Sequence, residues 1–236
     1  MSRSETPAET IAPGSRPEAI GAFKALLLDM DGTLVNSDAA VERVWRSWAV
    51  GHGLDPDETL KLVHGRQGYA TMAALLPDRP MEENLAENRQ LLAQETADLD
   101  GVVPVAGAPA FMDTISALPH ALVTSADEAL ATARMNAAGL RMPRTRVTAE
   151  CVGASKPDPE GFLKGAAELG FEPADCVVLE DSEAGITAAR AAGMRVLGIG
   201  RRAAAFAPDA HALDLTGVHV TADASGALTF APAPSA

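Results

Sequence analysis

The chain has 236 residues, 47% apolar and 22% charged, which excludes a peptide or fibre and is ample for a buried core of one large or two small domains. Its net charge of −13 repels polyanions, and aromatics at 4% are too few for base-stacking platforms, so no nucleic-acid partner is expected. Two cysteines, Cys151 and Cys176, lack a CxxC neighbour or an adjacent histidine, which excludes a disulfide framework or zinc centre and points to a reduced compartment.

Along the chain, residues 1–20 mix Pro, Ser, Glu and Ala without a period and predict a disordered tail. They contain no hydrophobic leader, and no apolar run reaches membrane-spanning length, so a cytoplasmic protein with no membrane partner is expected. A short apolar run at 23–28 predicts a buried strand. From 36 to 104 the spacing changes to i, i+3, i+4 in AAVERVWRSWAVGHG, DPDETLKLVHG, YATMAALLP and EENLAENRQLLAQETADL, which predicts a helical insert. Its flanks, LVNSD and GVVPVAGAP, carry the small and turn-forming residues that a pair of hinge strands needs. Strand candidates then return at 121–123, 176–179, 195–199 and, more weakly, 218–221. The later ones alternate with helical segments such as EGFLKGAAELG and SEAGITAARAAG, a pattern that predicts a parallel sheet with crossover helices. The expected organisation is a core of 21–35 and 105–222, a helical cap of 36–104, and loose tails at 1–20 and 223–236.

Four strand ends carry chemistry. The first runs into Asp29-Met30-Asp31-Gly32, where residues i and i+2 of an extended segment point the same way and two carboxylates converge. A bare DxDG is more often a solvated turn, and its company changes that reading. Thr124-Ser125 follows the second strand and offers a hydroxyl and free amides to an anion. Lys156, one of four lysines, is held before Pro157 in an extended lead into a helix. Glu180-Asp181 closes the strand at 176–179. An aspartate pair, a hydroxyl, a lysine and a second acidic pair at the carboxyl ends of one sheet suit Mg²⁺ and a phosphate group.

These segments, DMDGTLV, LVTSA, ASKPDPEGF and VLEDSEAGITAARAAGM, resemble the four motifs of the haloacid dehalogenase superfamily in order and spacing, from about Phe23 to Thr221. The insert resembles the helical C1 cap of the β-phosphoglucomutase-like branch. Within that branch the chain looks most similar to bacterial sugar phosphatases and to the yeast 2-deoxyglucose-6-phosphate and glycerol-3-phosphate phosphatases. The resemblance implies an α/β fold, a Rossmann-like doubly wound parallel sheet with an all-helical cap. It implies Mg²⁺-dependent hydrolysis of small sugar or polyol phosphates through an aspartyl-phosphate, in an enzyme expected to be a monomer. Asp29 would be the nucleophile and Asp31 the acid, then base. Mg²⁺ would be held by the Asp29 side chain, the Asp31 backbone carbonyl and Asp181, with Glu180 in support. Thr124, Ser125 and Lys156 would bind the phosphoryl oxygens. The cap loop His64-Gly65-Arg66-Gln67 would face the leaving group, making His64, Arg66 and Gln67 candidates for substrate hydroxyls. Trp45 and Trp48 read as cap core, and Arg43 and Arg46 as a solvated face.

Two alternatives share these motifs: a phosphosugar mutase, which needs a second phosphate clamp in the cap, and a protein that binds a phosphorylated metabolite without turnover. Gly198-Ile199-Gly200-Arg201-Arg202-Ala203 imitates a dinucleotide fingerprint, but no acidic strand end follows at the needed distance.

Overall fold

The computed structural model describes residues 16–231; most of the expected amino-terminal tail (1–15) and the last five residues lie outside that range. The elements, in chain order, are β1 (Ala25–Leu28), β2 (Val35–Asn36), α1 (Asp38–Gly51), α2 (Pro56–Val63), α3 (Gly68–Leu75), α4 (Met81–Ala97) and β3 (Val103–Pro104). There follow α5 (Ala108–Thr114), β4 (His120–Val123), α6 (Glu128–Ala137), β5 (Thr145–Val147), α7 (Glu160–Leu169), β6 (Cys176–Glu180), α8 (Glu183–Ala191) and β7 (Arg195–Ile199). The last are α9 (Gly200–Ala203), β8 (Ala210–Ala212), β9 (His219–Ala222) and β10 (Leu228–Ala231).

Six strands form one sheet in the order β5-β4-β1-β6-β7-β8, every neighbouring pair parallel. Parallel neighbours require crossover connections, and the intervening helices cover both faces. Alternate residues therefore feed separate cores. Leu26, Leu28, Leu122, Val177 and Leu179 pack into one hydrophobic cluster, while Ala25, Leu27, Ala121, Val123 and Val178 pack into the other. The chain leaves β1 toward β4 and β5 on one side and returns to β6, β7 and β8 on the other. The topological switch point is thus beside β1, between it and β6, where sheets of this type open a crevice at the carboxyl ends of their strands.

The helices α1 to α4 lie between β2 and β3, which pair antiparallel through Val35↔Pro104 and Asn36↔Val103. The insert therefore leaves and rejoins the core through two adjacent extended segments. It has its own apolar cluster, including Val41, Trp45, Trp48, Val63, Met72 and Leu91. Trp45 and Trp48 meet edge to face at 5.3 Å inside it, as the helical spacing predicts. Arg43 and Arg46 are exposed and paired with Asp98 and Asp57.

Four points expected from the sequence differ in the structure. The candidate strand at 218–221 is not part of the parallel sheet: β9 pairs antiparallel with β10. The true edge strands β5 and β8 were not foreseen, since each is three residues long and only partly buried, without a continuous apolar run. The segment from 223 is not a loose tail as far as Ala231. Asp223 accepts the amides of Ser225 and Ala227 to make the turn, and the Phe230 ring lies tilted against Phe23, 4.9 Å between centroids. At the other end, Pro17–Ile20 forms a 3₁₀ turn that buries Ile20, so the expected tail already belongs to the core there. Both cysteines are free, and among the described residues no helix is long and apolar enough to cross a membrane.

Candidate active site

The ends of β1 and β6 are in register, Leu28 opposite Leu179, and the Asp29 amide donates to the Leu179 carbonyl at 3.0 Å. This places Asp29 beside Glu180 and Asp181 at the switch point. The three side chains each bring an oxygen within 4.8 Å of the others, and all three are buried. Carboxylates at that separation repel unless positive charge lies among them. One cation is Lys156, whose Nζ donates to Asp29 Oδ1 at 2.7 Å, to Glu180 Oε1 at 3.3 Å and to the Val123 carbonyl at 3.2 Å. Arg202 supplies a second, donating to Asp181 Oδ2 at 2.7 Å and to both oxygens of Asp38 on α1.

Glu180 is the fixed member of the cluster. Its Oε2 accepts the Asp181 amide at 2.9 Å, and its Oε1 accepts the Ser182 hydroxyl at 2.8 Å. Ser182 in turn caps α8 by accepting the Gly185 amide. Two glycines make the crowding possible. A Cβ at Gly32, where φ is +86°, would lie 2.1 Å from Asp181 Oδ2, and one at Gly185 would lie 1.5 Å from Glu180 Oε1.

The electrostatics follow from this packing. Burial, then the neighbouring Glu180, pushes the Asp29 carboxyl up to about 8 against the pull of Lys156. Burial and the same neighbour raise Asp181 well above the usual carboxylate range. Burial lowers the Lys156 pKa, but Asp29 and Glu180 outweigh it and hold the ammonium charged. The cluster is short of positive charge, and its hard oxygen donors suit a small divalent cation.

Asp31 is turned away from the three-carboxylate cluster. Its Oδ1 accepts the Ser37 hydroxyl at 2.7 Å and its Oδ2 accepts Arg134 Nη1 at 2.9 Å. The role expected for its backbone carbonyl does not involve that side chain. Thr124 is buried at the end of β4, its hydroxyl accepting the Ala126 amide at 3.1 Å. Ser125 donates its hydroxyl to the Gly65 carbonyl at 3.0 Å, joining core to cap.

The cap loop sits directly on the core. Gly65, at φ +80°, lies so close to Ser182 that an added Cβ would be 2.0 Å from its hydroxyl. The Gln67 amide donates to the Ser155 hydroxyl at 2.8 Å. A cavity between cap and core is lined by Asp29, Asp31, His64, Arg66, Thr124 and Ser125, and on the cap side by Trp45, Asn88 and Glu95. His64 and Arg66 both line this cleft. Gln67 is buried and engages the core through its backbone, and its side chain is not part of that lining. Burial, then Arg202, lowers the His64 pKa, which favours a neutral ring.

Three charged residues of the site were missed in the sequence: Glu95, Arg134 and Arg202. Arg134 donates Nη2 to Glu95 Oε2 at 3.2 Å, and burial pushes Glu95 up to about 7. A usable signal existed for the first two. Arg134 falls among Leu130, Ala131 and Met135 on the buried face of α6, and Glu95 follows Asn88 and Leu91 on the buried face of α4. A charge at a core position of a helix marks a buried partner. Arg202 lies in the glycine-rich segment discounted as a nucleotide motif, and that segment instead delivers a guanidinium to the carboxylates.

A family model for haloacid dehalogenase-like hydrolases matches residues 23–193. The chain belongs to that family. The hydrolase is 39% identical to hexitol phosphatase A of Escherichia coli K12 over 194 residues, 81% of this chain and 89% of that protein. It is 31% identical to glycerol-1-phosphate phosphohydrolase 2 of Saccharomyces cerevisiae, over 74% of each chain. The crystal structure of a β-phosphoglucomutase from Clostridium difficile superposes with a TM-score of 0.72 at 19% identity, covering 82% of this chain and 92% of that one. At that identity the likeness speaks for the fold, including the inserted cap.

Proposed function

We propose that this hydrolase cleaves phosphate monoesters of small polyols and sugars, with Asp29 as nucleophile and Mg²⁺ as cofactor. The observation that carries the reading is the convergence of Asp29, Glu180 and Asp181 within 4.8 Å, with Lys156 Nζ 2.7 Å from the Asp29 carboxylate. The likeness to phosphatases of hexitol and glycerol phosphates supports the substrate class.

Asp29 and Asp181, with Glu180 behind them, would hold the ion. When bound, Mg²⁺ supplies positive charge that keeps Asp29 ionised and offsets the charge of the phosphoryl dianion. Lys156 adds charge at the same carboxylate and orients its free oxygen. Asp29 attacks phosphorus, the bond from phosphorus to the ester oxygen breaks, and Asp31 passes a proton to the departing alkoxide. Water then attacks the aspartyl-phosphate, with Asp31 accepting its proton. Thr124 and Ser125, at the end of β4, bind the phosphoryl oxygens through hydroxyl and amide. His64 and Arg66 face the carbon skeleton, and the seated cap loop excludes bulk water from the acyl-phosphate.

The test is phosphate release from a panel of hexitol, glycerol and sugar phosphates, with and without EDTA, for the wild type and Asp29→Asn. Turnover that needs Mg²⁺ and disappears in the variant is expected. Near-normal turnover by Asp29→Asn would overturn the assignment.

A further inference from the structure

A buried guanidinium needs a reason, because taking it out of water costs several kcal/mol unless its partners compensate. Arg134 is 3% exposed and points from α6, a core helix, into the cleft. Its two terminal nitrogens reach two different carboxylates: Asp31 at 2.9 Å in the core and Glu95 at 3.2 Å on cap helix α4. Its Nε is buried with no hydrogen-bond partner, so the side chain is placed for these two contacts rather than for its own satisfaction. On its far side Asp31 is held by the Ser37 hydroxyl at 2.7 Å, just before α1. Both Asp31 oxygens are therefore gripped, one from each side, and its rotamer is fixed.

We propose that Arg134 is a positioning residue for leaving-group protonation: it aims Asp31 at the ester oxygen, and it does so fully only when the seated cap presents Glu95. Arg134 need not touch substrate. The contact to Glu95 exists only where α4 of the cap approaches α6 of the core, so one guanidinium links cap seating to the aim of the acid. This rests on the phosphatase reading above and assigns a role to a residue outside the four motifs.

The step it serves is selective. The Asp29–phosphorus bond forms, the bond from phosphorus to the ester oxygen breaks, the electron pair stays on that oxygen, and the proton that Asp31 carries into the step joins it, leaving the carboxylate that Ser37 and Arg134 hold. A polyol leaves as an alkoxide and needs that proton, whereas a nitrophenolate is stable as an anion and leaves without it. The experiment compares kcat/KM for a hexitol phosphate and for p-nitrophenyl phosphate in the wild type, Arg134→Gln and Arg134→Lys. The ratio kcat/KM reports only steps through release of the leaving group, so later hydrolysis of the aspartyl-phosphate does not enter.

Arg134→Gln is expected to lower the hexitol phosphate value by about 10²- to 10³-fold and the nitrophenyl value by no more than about tenfold. Arg134→Lys, which retains a cation but replaces two terminal nitrogens with a single one on a differently shaped stem, should fall between. Ser37→Ala loosens Asp31 from the other side and should show the same selectivity, so the ratio stays readable if Arg134→Gln does not fold. Equal loss with both substrates, or no loss with either, overturns the proposal. A wild type that cleaves the nitrophenyl ester but no polyol phosphate would instead overturn the substrate reading, and this proposal with it.

Discussion

Gly65→Ala is the sharpest probe of how the cap meets the core. The new methyl would lie 2.0 Å from Ser182 Oγ and 2.6 Å from Ser182 Cβ, where ordinary contact begins near 3.4 Å, so the loop tip must withdraw by 1 Å or more. Ser182 cannot yield easily, because its hydroxyl donates to Glu180 at 2.8 Å and accepts from Gly185 at 3.0 Å. Withdrawal breaks the Ser125–Gly65 and Ser155–Gln67 bonds across the interface. At about 0.5–1.5 kcal/mol each, their loss disfavours the seated cap by about 1–3 kcal/mol. That is about 5- to 150-fold in seated population, and kcat/KM should fall by a similar factor. The φ of +80° adds about 1–2 kcal/mol of strain whether or not the cap is seated. On that ground Tm should drop by only about 2–8 °C. Phosphate-release kinetics and a thermal melt on the same preparation separate the two effects. A variant with wild-type kcat/KM and a normal melt would refute the claim that this loop must seat tightly on Ser182.

Other outcomes follow from the same geometry. Mg²⁺ should stabilise the fold by relieving repulsion among Asp29, Glu180 and Asp181, by about 2.7 kcal/mol at a hundredfold excess over Kd, read as a Tm rise of about 5–11 °C, and Asp181→Asn should abolish most of that rise in a melt titration. Glu95 titrates at about 7 in the fold and near 4.5 unfolded, so the native state binds the extra proton between those values and stability falls as pH rises across them. Glu95→Gln should flatten that slope in denaturant titrations at pH 5 and pH 8, by up to about 3 kcal/mol; an unchanged slope would contradict the assignment. Phe230→Ala should cost about 3–5 kcal/mol, because the ring is buried against Phe23 in a paired hairpin; a negligible shift in the urea midpoint would return the segment to a loose tail.

Much of this was legible in the sequence because the signals are local. The four motifs sit at strand ends, where a buried run stops and a polar group begins, and the α1 to α4 periodicity survives intact in the insert. The β2–β3 hinge pair also showed in its small, turn-forming flanks. What escaped was set by tertiary contact. The edge strands β5 and β8 are completed by neighbours that no local window contains, and the β9–β10 hairpin hides within Ala- and Pro-rich surroundings. In sequence Arg134 and Glu95 look like any other helix charges, and only their apolar neighbours on the same helix face mark them as buried. Arg202 could not be found locally at all, since Asp181, just after β6, and Asp38 on α1 are brought to it only by the fold.

The most direct measurement is rapid acid quench of a single turnover with a ³²P-labelled hexitol phosphate, followed by peptide mapping of the protein. The account predicts a transient, hydroxylamine-labile label on Asp29, formed and lost at rates that match product release. Full product formation with Asp29 never labelled, or with the label on another residue, would contradict it.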